Sequence, residues 1–150
     1  MTTFLFWNIN KKPLASQIIN IVGAYDVDVV ILVESQLAKT GRFLREINTK
    51  LRPGYALLPN RNCEKIEIYT RFATNRFQAR EESDRYTIEK INFPVAEGVL
   101  LAALHFPSKV NWSETSQMFE AVDYAERIRA VEKQENISRT VVVGDFNMNP

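Results

Sequence analysis

The chain of 150 residues is 45% hydrophobic and 25% charged, and its formal net charge at pH 7 is +1. These values exclude a disordered or fibrous protein and are typical of one globular domain with its own hydrophobic core. A net charge this small gives no overall attraction to nucleic acids or membranes, so polyanion binding would require a local basic patch. Five basic residues could form one, although the simpler interpretation is a solvated helix face: Arg42, Arg45, Lys50, Arg52 and Arg61.

Cys63 is the only cysteine in the sequence and His105 is the only histidine. A single cysteine excludes an intrachain disulfide, and the two residues are too few for a zinc site built from several Cys or His ligands. The apolar N-terminus has no preceding basic segment, and it is far shorter than the roughly 20 residues that span a bilayer. We therefore predict a cytoplasmic protein without membrane association.

The first part of the chain predicts two units of a strand followed by a helix. Residues 3–7 and 27–33 are apolar, β-rich runs, and polar residues end each of them, which is typical of buried strands. Pro13 is well placed to begin the first helix, which the apolar spacing extends to Gly23. The second predicted helix has Leu37, Leu44, Ile47 and Leu51 on one face.

The remainder of the chain predicts mainly strands. Residues 55–58, 66–72, 86–93 and 99–105 are strand-like, and an antiparallel meander is expected from them. A helix follows, capped by Asn111 with Glu114 as its reciprocal partner. Its predicted apolar stripe consists of Met118, Ala121, Val122, Ala125 and Ile128. Residues 140–143 form the last predicted strand, so the chain is interpreted as one α/β domain.

Four of the predicted strands end in side chains that can bind ligands. Asn8, Glu34 and His105 each end an apolar run, and Asp145 and Asn147 follow the last one. Taken singly, such residues are most simply turn or capping residues. Together they indicate a site, because the strands of an α/β sheet expose their carboxyl ends at one edge, where side chains from different strands converge.

The chemistry of these side chains suits a hard divalent cation. Mg²⁺ prefers oxygen ligands and keeps several waters, so one or two carboxylates with nearby amides are sufficient. Glu34, Asp145, Asn8 and Asn147 supply such groups. His105 is either a half-buried residue satisfied by a backbone carbonyl or an acid/base group oriented by a carboxylate, and we favour the second interpretation.

Five motifs occur in the order FWNIN, VDVVILVES, EKIEIYTRF, ALHFPS and GDFNMNP. This set resembles the endonuclease/exonuclease/phosphatase superfamily, which includes DNase I-like nucleases, abasic-site endonucleases, inositol-polyphosphate phosphatases and neutral sphingomyelinases. The resemblance implies a DNase I-like two-sheet sandwich with outer helices, of which this chain would supply the first sheet and the start of the second. Residues 1–150 would then be the N-terminal part of a single domain of that type.

The resemblance also implies roles for individual residues. Glu34, with Asn8, matches the site for Mg²⁺, with Mn²⁺ as a possible substitute. His105 matches the histidine of the DNase I-like branch, and Glu64 falls where that branch places the glutamate paired with it. Asp145 and Asn147 match the pair that holds the attacking water and contacts the scissile phosphate. Asn8, Asn147 and Arg71 are the residues expected to bind substrate phosphate.

The sequence therefore predicts a Mg²⁺-dependent phosphodiesterase, with DNA or RNA as the favoured substrate. Two alternatives stay open: a phosphatase or sphingomyelinase-like lipid phosphodiesterase of the same fold, and a non-catalytic protein-binding module. Family members complete the site with residues beyond the position of Pro150, so we expect this chain alone to be inactive. We also expect a C-terminal half or a partner chain to cover the exposed sheet.

Overall fold

The computed structural model describes residues 1–51, 54–60, 62–93, 97–106 and 114–147, with the backbone alone for residues 114 and 115. Eight strands and three α-helices are present in this part of the chain. In chain order they are β1 (Phe4–Asn8), α1 (Ala15–Ala24), β2 (Val29–Val33), α2 (Arg42–Lys50), β3 (Ala56–Leu57), β4 (Ile66–Thr70), β5 (Phe77–Glu82), β6 (Tyr86–Ile91), β7 (Val99–His105), α3 (Glu114–Glu135) and β8 (Thr140–Asp145). Short 3₁₀ turns span Leu37–Thr40 and Thr74–Arg76.

The strands form two four-stranded sheets, in the orders β1-β2-β4-β3 and β5-β6-β7-β8. The pairs β1/β2 and β7/β8 are parallel, whereas the other pairs are antiparallel. The predicted two-sheet α/β fold is confirmed, but the predicted division of strands was wrong, since the second sheet has four strands rather than its opening strand alone. The single meander expected for the middle of the chain is broken after β4, where the Thr74–Arg76 turn leads into the other sheet.

Strand β5 was not predicted from the sequence. Its residues, FQAREE, are mainly polar, because it is an edge strand and only Phe77 is fully buried. An edge strand of this kind lacks the apolar alternation that identifies a strand in a sequence.

The two sheets pack face to face, and helices cover their outer faces. In β2, Val29, Ile31 and Val33 belong to the core between the sheets. Val30 and Leu32 point the other way and pack with residues of α1 and α2. This is the two-residue alternation of a strand that is buried on both sides. On the other sheet, α3 packs on the outward residues of β7.

Helix α3 uses a different face from the predicted one. Met118 and Val122 are 59% and 51% exposed, although Ala121 and Ile128 do pack on the sheet. The buried row is Gln117, Tyr124, Ile128 and Val131. This row also has helical spacing, but its polar members made the neighbouring apolar row more prominent in the sequence. The predicted cap formed by Asn111 and Glu114 lies outside the described side chains.

The predicted second helix is divided into two parts. The Leu37–Thr40 turn ends at Gly41, whose φ of +60° is left-handed, and α2 begins at the next residue. The predicted face is otherwise correct, since Ile47 is buried and Leu44 and Leu51 pack beside it. None of the helices in the described residues combines the length and the apolar content that crossing a membrane requires.

Candidate active site

The ends of four strands meet at one edge of the sandwich. Asn8, His105 and Asp145 end β1, β7 and β8, and the parallel pairing of these strands with their neighbours aligns their carboxyl ends. Alternation places all three side chains on the faces that look toward the other sheet. The inward residues that precede them in the strands are Phe4, Phe6, Leu101, Ala103, Val141 and Val143. The fold therefore directs these polar groups into the space between the sheets.

A hydrogen bond joins the two sheets at this edge. Asn8 Nδ2 donates to Asp145 Oδ2 over 2.6 Å, and the backbone N–H of Asn147 donates to Asp145 Oδ1 over 3.0 Å. The Asn8 amide is itself oriented, because its Oδ1 accepts the backbone N–H of Asn10 at 2.9 Å. Each carboxylate oxygen of Asp145 is thus held by one amide, which fixes the orientation of the group. The structure brings Asn8, Asp145 and Asn147 together.

His105 meets Glu34 across the same edge. Its Nε2 lies 3.1 Å from Glu34 Oε1, and the two side chains are 11% and 28% exposed. In the register of the second sheet, His105 is also the direct neighbour of Asp145. The other ring nitrogen, Nδ1, is buried and has no hydrogen-bond partner among the described residues. Such an unsatisfied group in a native interior is uncommon and is often found at functional sites.

The structure does not bring Glu64, the predicted partner of His105, into contact with it. Glu64 is exposed in the turn before β4, where it lines a cavity of about 440 Å³ together with Ser35. Alternation alone would turn residue 34 toward the helices, but Glu34 has a φ of +50° and contacts His105 on the inner side. The left-handed backbone of Glu34 therefore supplies His105 with a different carboxylate from the one that the resemblance implied.

Left-handed backbone conformations cluster at this edge. Asn10, Lys11, Glu34 and Asn147 have φ values of +46°, +57°, +50° and +50°. Asparagine tolerates this region, but for a glutamate it costs about 1 kcal/mol or more, and such strain is concentrated at functional sites. Two backbone hydrogen bonds hold Glu34 in place, from its own N–H to the Lys65 carbonyl at 3.1 Å and from the Lys11 N–H to its carbonyl at 2.8 Å.

Gly144, next to Asp145, is required by close packing. A Cβ atom at this position would lie 2.4 Å from Leu104 Cγ and 2.7 Å from the Leu104 carbonyl oxygen. The two residues are register partners in the parallel β7/β8 pair. The glycine of the GDFN motif therefore allows β8 to pair with β7 at the point where Asp145 enters the site.

Arg71 does not reach this site. Thr70 pairs with Val29 at the beginning of β2, whereas Ile66 pairs with Val33 at its end, so Arg71 lies at the opposite edge of the sheet. At about 3.3 Å per strand residue, the separation from Glu34 is roughly 15–20 Å. Arg71 Nε is 2.6 Å from Asp28 Oδ1, and Nη1 is 2.6 Å from Asp26 Oδ1. The structure therefore does not bring Arg71 together with Asn8 and Asn147, the other residues expected to bind phosphate, because its side chain is engaged in ion pairs at the opposite edge.

Asn147 is anchored by groups that sequence reasoning missed. Its Nδ2 donates to the Phe106 carbonyl at 2.6 Å, and Gln117 Nε2 donates to the Asn147 carbonyl at 3.1 Å. Gln117 is only 2% exposed. The sequence signal that could have identified Gln117 as buried is its helical spacing from Tyr124. The amide nitrogen of Asn147 thus holds the turn after β8.

The oxygen groups at the edge suit a hard cation that keeps its waters. No group of three or more His, Cys, Asp or Glu side chains is arranged as a metal site within the described ranges. Mg²⁺, however, is commonly bound by one or two carboxylates with water in the remaining positions. Glu34 offers a carboxylate, and Asn8 Oδ1 has a second lone pair besides the one that accepts the Asn10 N–H. These two residues fit Mg²⁺ or Mn²⁺ as partial ligands.

No protein-family model and no curated protein matches the sequence. Solved structures do share its fold. The catalytic domain of human Nocturnin, with a bound sulfate anion, gives a TM-score of 0.69 at 16% identity over 99% of this chain and 65% of that chain. The endonuclease domain of TRAS1, a telomere-specific non-LTR retrotransposon, gives 0.62 at 15% identity over 100% of this chain and 61% of that chain.

A third solved structure with the same fold is that of a protein whose family is known. It is an endonuclease/exonuclease/phosphatase family protein from Leptotrichia buccalis C-1013-b, with a TM-score of 0.65 at 13% identity over 99% of this chain and 67% of that chain. The chain thus spans 61–67% of the length of these three proteins. At identities this low, the structural similarity establishes a common fold and leaves the activity open. The chain therefore has the two-sheet fold of the endonuclease/exonuclease/phosphatase proteins, as the motif resemblance predicted.

Proposed function

We propose that this chain contains the site of a phosphodiesterase that uses Mg²⁺ or Mn²⁺ and cleaves nucleic acid. The observation that supports the proposal is the convergence of Glu34, His105 and the Asn8–Asp145 pair from two sheets onto one edge. Hydrolysis of a phosphodiester requires a base for the water, a proton donor for the leaving oxygen and neutralisation of the phosphate charge. The edge offers one candidate group for each task.

The roles follow from how each side chain is held. Asp145, fixed by Asn8 and by the Asn147 N–H, aligns the attacking water and takes its proton as the new P–O bond forms. His105 gives a ring proton to the leaving oxygen as the old P–O bond breaks. Glu34 and Asn8 would hold the metal, which when bound neutralises the charge on the non-bridging phosphate oxygens. Glu64 has no role in this scheme, since it does not contact His105.

Two lysines favour a nucleic-acid strand as the substrate. The backbone hydrogen bonds of Glu34 place Lys11 on one side of it and Lys65 on the other, each about one strand spacing of 4.8 Å away. Both lysines are exposed, and within the described part of the chain neither forms an ion pair. A nucleic-acid strand has one negative charge per nucleotide, so cations on both sides of the site suit a polymer with phosphates on both sides of the cleaved bond.

The experiment uses the full-length protein and compares wild type with Glu34→Gln on DNA and RNA, with Mg²⁺ and with EDTA. We expect cleavage that requires Mg²⁺, and a loss of about 10²-fold or more in the variant, the usual cost of removing one electrostatic stabiliser. Glu126→Gln is the matched control, because Glu126 is an exposed glutamate on α3. Equal activity of all three proteins would show that Glu34 is not part of a catalytic site.

A phosphatase is the second candidate function. Solved structures with this fold include a mannosyl-6-phosphatase from Bacteroides thetaiotaomicron and a 2′,3′-cyclic phosphatase, ANGEL2. A panel of sugar phosphates, inositol phosphates, sphingomyelin and plasmid DNA distinguishes the two functions, since a nuclease should cleave only the DNA.

We further propose that more polypeptide of the same protein covers the side of β8 and the adjacent face of α3. Apolar side chains are exposed there, with Met118 at 59%, Phe119 at 67%, Val122 at 51%, Val142 at 45% and Phe146 at 40%. An exposed apolar face of this kind beside an edge strand favours association. The solved structures with this fold are longer than this chain, so a C-terminal segment is the favoured cover and a partner chain is the alternative.

A further inference from the structure

Glu67 is a carboxylate buried behind the candidate site. It lies in β4 between Ile66 and Ile68, which face the core between the sheets, so its own side chain faces the helix layer. The residue is only 8% exposed. A carboxylate is tolerated in such a position only when hydrogen bonds replace its lost hydration. The hydrogen-bond partners of Glu67 therefore indicate its role in the protein.

Three donors surround the Glu67 carboxylate. Ser35 Oγ donates to Oε2 over 2.6 Å, and the backbone N–H of Ala38 donates to Oε1 over 3.1 Å. Tyr69 OH, from the same strand, also donates to Oε2, over 2.7 Å. Ser35 Oγ in turn accepts the backbone N–H of Leu37 at 3.1 Å. Two of the three donors thus belong to the turn that begins directly after Glu34.

This network fixes the residue next to a left-handed glutamate. Glu34 has a φ of +50°, and this backbone conformation directs its carboxylate to His105. Backbone hydrogen bonds to Lys11 and Lys65 hold the two peptide groups of Glu34, but the turn of residues 35–38 that follows needs a further constraint. Ser35, bonded to Glu67, supplies that constraint. A strained conformation of this kind persists only when several surrounding contacts hold it in place.

We propose that Glu67 is a positioning residue for Glu34. By holding Ser35 and Ala38, it keeps the Glu34 backbone left-handed and its carboxylate beside His105, where the metal is proposed to bind. This inference rests on the proposed function, since the metal-binding role of Glu34 belongs to that function. A purely structural role for Glu67 would affect stability alone, without affecting the geometry of the turn.

The test measures metal binding and turn geometry, with Tyr69→Phe as the matched control. Tyr69→Phe removes one hydrogen bond from the same carboxylate and leaves both bonds to the turn intact. Mn²⁺ dissociation constants are measured by electron paramagnetic resonance on the full-length protein. We expect Glu67→Gln and Ser35→Ala to weaken Mn²⁺ binding about tenfold or more, as removal of a ligand's supporting partner does, and Tyr69→Phe to weaken it less than about threefold.

Amide chemical shifts of residues 34–38 provide the second measurement, and they do not depend on metal or activity. Glu67→Gln and Ser35→Ala should shift them, and Glu67→Asp should partly restore the wild-type pattern. Unchanged Mn²⁺ affinity in Ser35→Ala would overturn the inference, even if Glu67→Gln fails to fold. If Glu34→Gln leaves Mn²⁺ affinity unchanged, the proposed metal site is wrong, whereas shifts that move in Glu67→Gln and not in Tyr69→Phe still establish the control of the turn by Glu67.

Discussion

The two ends of the sandwich use their charged residues differently. At the amino ends of β1 and β2, Arg71 is bonded to Asp26 and Asp28, and Asp28 also accepts the backbone N–H of Thr3 at 2.7 Å. Charges at this end are compensated within the chain. At the carboxyl ends, His105 Nδ1 has no partner in the described residues, and Lys11 and Lys65 form no ion pair there.

Left-handed backbone conformations are also distributed unequally between the two ends of the sandwich. Four of the left-handed non-glycine residues lie at the carboxyl-end edge, at Asn10, Lys11, Glu34 and Asn147. At the amino end, Asp26 and Asn136 adopt this conformation, and both are residue types that tolerate it. A folded chain satisfies its own polar groups where only stability matters, and it retains strain and unsatisfied groups where a ligand is to be bound. The comparison therefore supports the carboxyl-end edge as the functional one, and mutations at the two ends should have opposite consequences.

The largest expected effect is on catalysis at the carboxyl end. In the full-length protein, Asp145→Asn should reduce nucleic-acid cleavage by about 10²- to 10⁴-fold, because the group proposed to accept the proton of the attacking water is lost. The substituted amide keeps one oxygen that can accept from Asn8 or from the Asn147 N–H. The melting temperature should therefore change little. Initial rates with a DNA substrate and Mg²⁺ measure the first effect, and thermal unfolding measures the second.

Asp123→Asn provides the control for this experiment. Asp123 is a 57% exposed aspartate on α3 that accepts from Arg127 Nε at 2.7 Å. It should retain wild-type rates, since an exposed ion pair contributes little to the fold and the partner of Asp123 is Arg127, which is not a candidate site residue. Wild-type rates in Asp145→Asn would remove the proton-accepting role from the proposed mechanism.

The second expected effect is on stability at the amino end. Arg71→Gln should lower the free energy of unfolding by about 1–3 kcal/mol, because Asp28, which is buried, loses its charged partner. Cleavage rates should stay at the wild-type level. Urea unfolding and initial rates measured on the same preparations test both statements. A large loss of activity at unchanged stability would restore the phosphate-binding role that the sequence motif implied for Arg71.

The strand-end residues could be predicted because alternation and parallel pairing are local rules. Given apolar runs that end at Asn8, His105 and Asp145, the two-residue period alone places the three side chains on inner faces at one edge. The position of Arg71 could also have been corrected from the sequence. Arg71 lies seven positions after Glu64, and a strand that long carries the chain to the opposite edge of the sheet.

The partner of His105 could not be predicted in this way. It depends on the φ angle of Glu34, which is set by tertiary contacts with Lys11, Lys65 and, through Ser35, with Glu67. A glutamate has no intrinsic preference for the left-handed region, so no local pattern signals this turn. The role of Glu67 could not be predicted for the same reason, because in the sequence it is simply a polar residue in an otherwise apolar strand.

The third expected effect concerns Glu89, which lies between the two ends on the inner face of β6. It is 4% exposed, and its one hydrogen bond among the described residues comes from Thr87 Oγ1 at 3.5 Å. Burial, with the nearby charge of Glu82, raises the pKa of the Glu89 carboxyl from 4.5 to about 7. The folded protein therefore keeps a proton that the unfolded chain loses, and stability should fall as pH rises from about 4.5 to about 7.

Glu89→Gln tests this expectation, since glutamine occupies the same space without titrating. Urea unfolding at pH 5, 7 and 8.5 should show the variant about 1–2 kcal/mol more stable than wild type at pH 8.5, with the difference vanishing at pH 5. Glu126→Gln, at an exposed position, should follow the wild-type curve. A difference that does not depend on pH would mean that Glu89 is already ionised in the folded protein.

The smallest expected effect is on nucleic-acid binding at the carboxyl end. The double variant Lys11→Gln, Lys65→Gln should bind a single-stranded DNA oligonucleotide less tightly, and its stability should not change, because neither lysine forms an ion pair with a described residue. Each phosphate contact contributes about 0.7 to the slope of log K against log salt concentration for a single strand, so the slope should fall by about 1.4.

Fluorescence anisotropy in EDTA at several salt concentrations measures this slope without cleavage. Lys133→Gln is the control, since Lys133 is an exposed lysine in the last turn of α3, and it lies about 24 Å along the helix from Gln117 at a rise of 1.5 Å per residue. It should leave the slope unchanged. If the double variant and the control have equal slopes, Lys11 and Lys65 do not contact phosphate. The two ends of the sandwich would then differ in ion pairing and strain alone, and a small phosphoester would become the better candidate substrate.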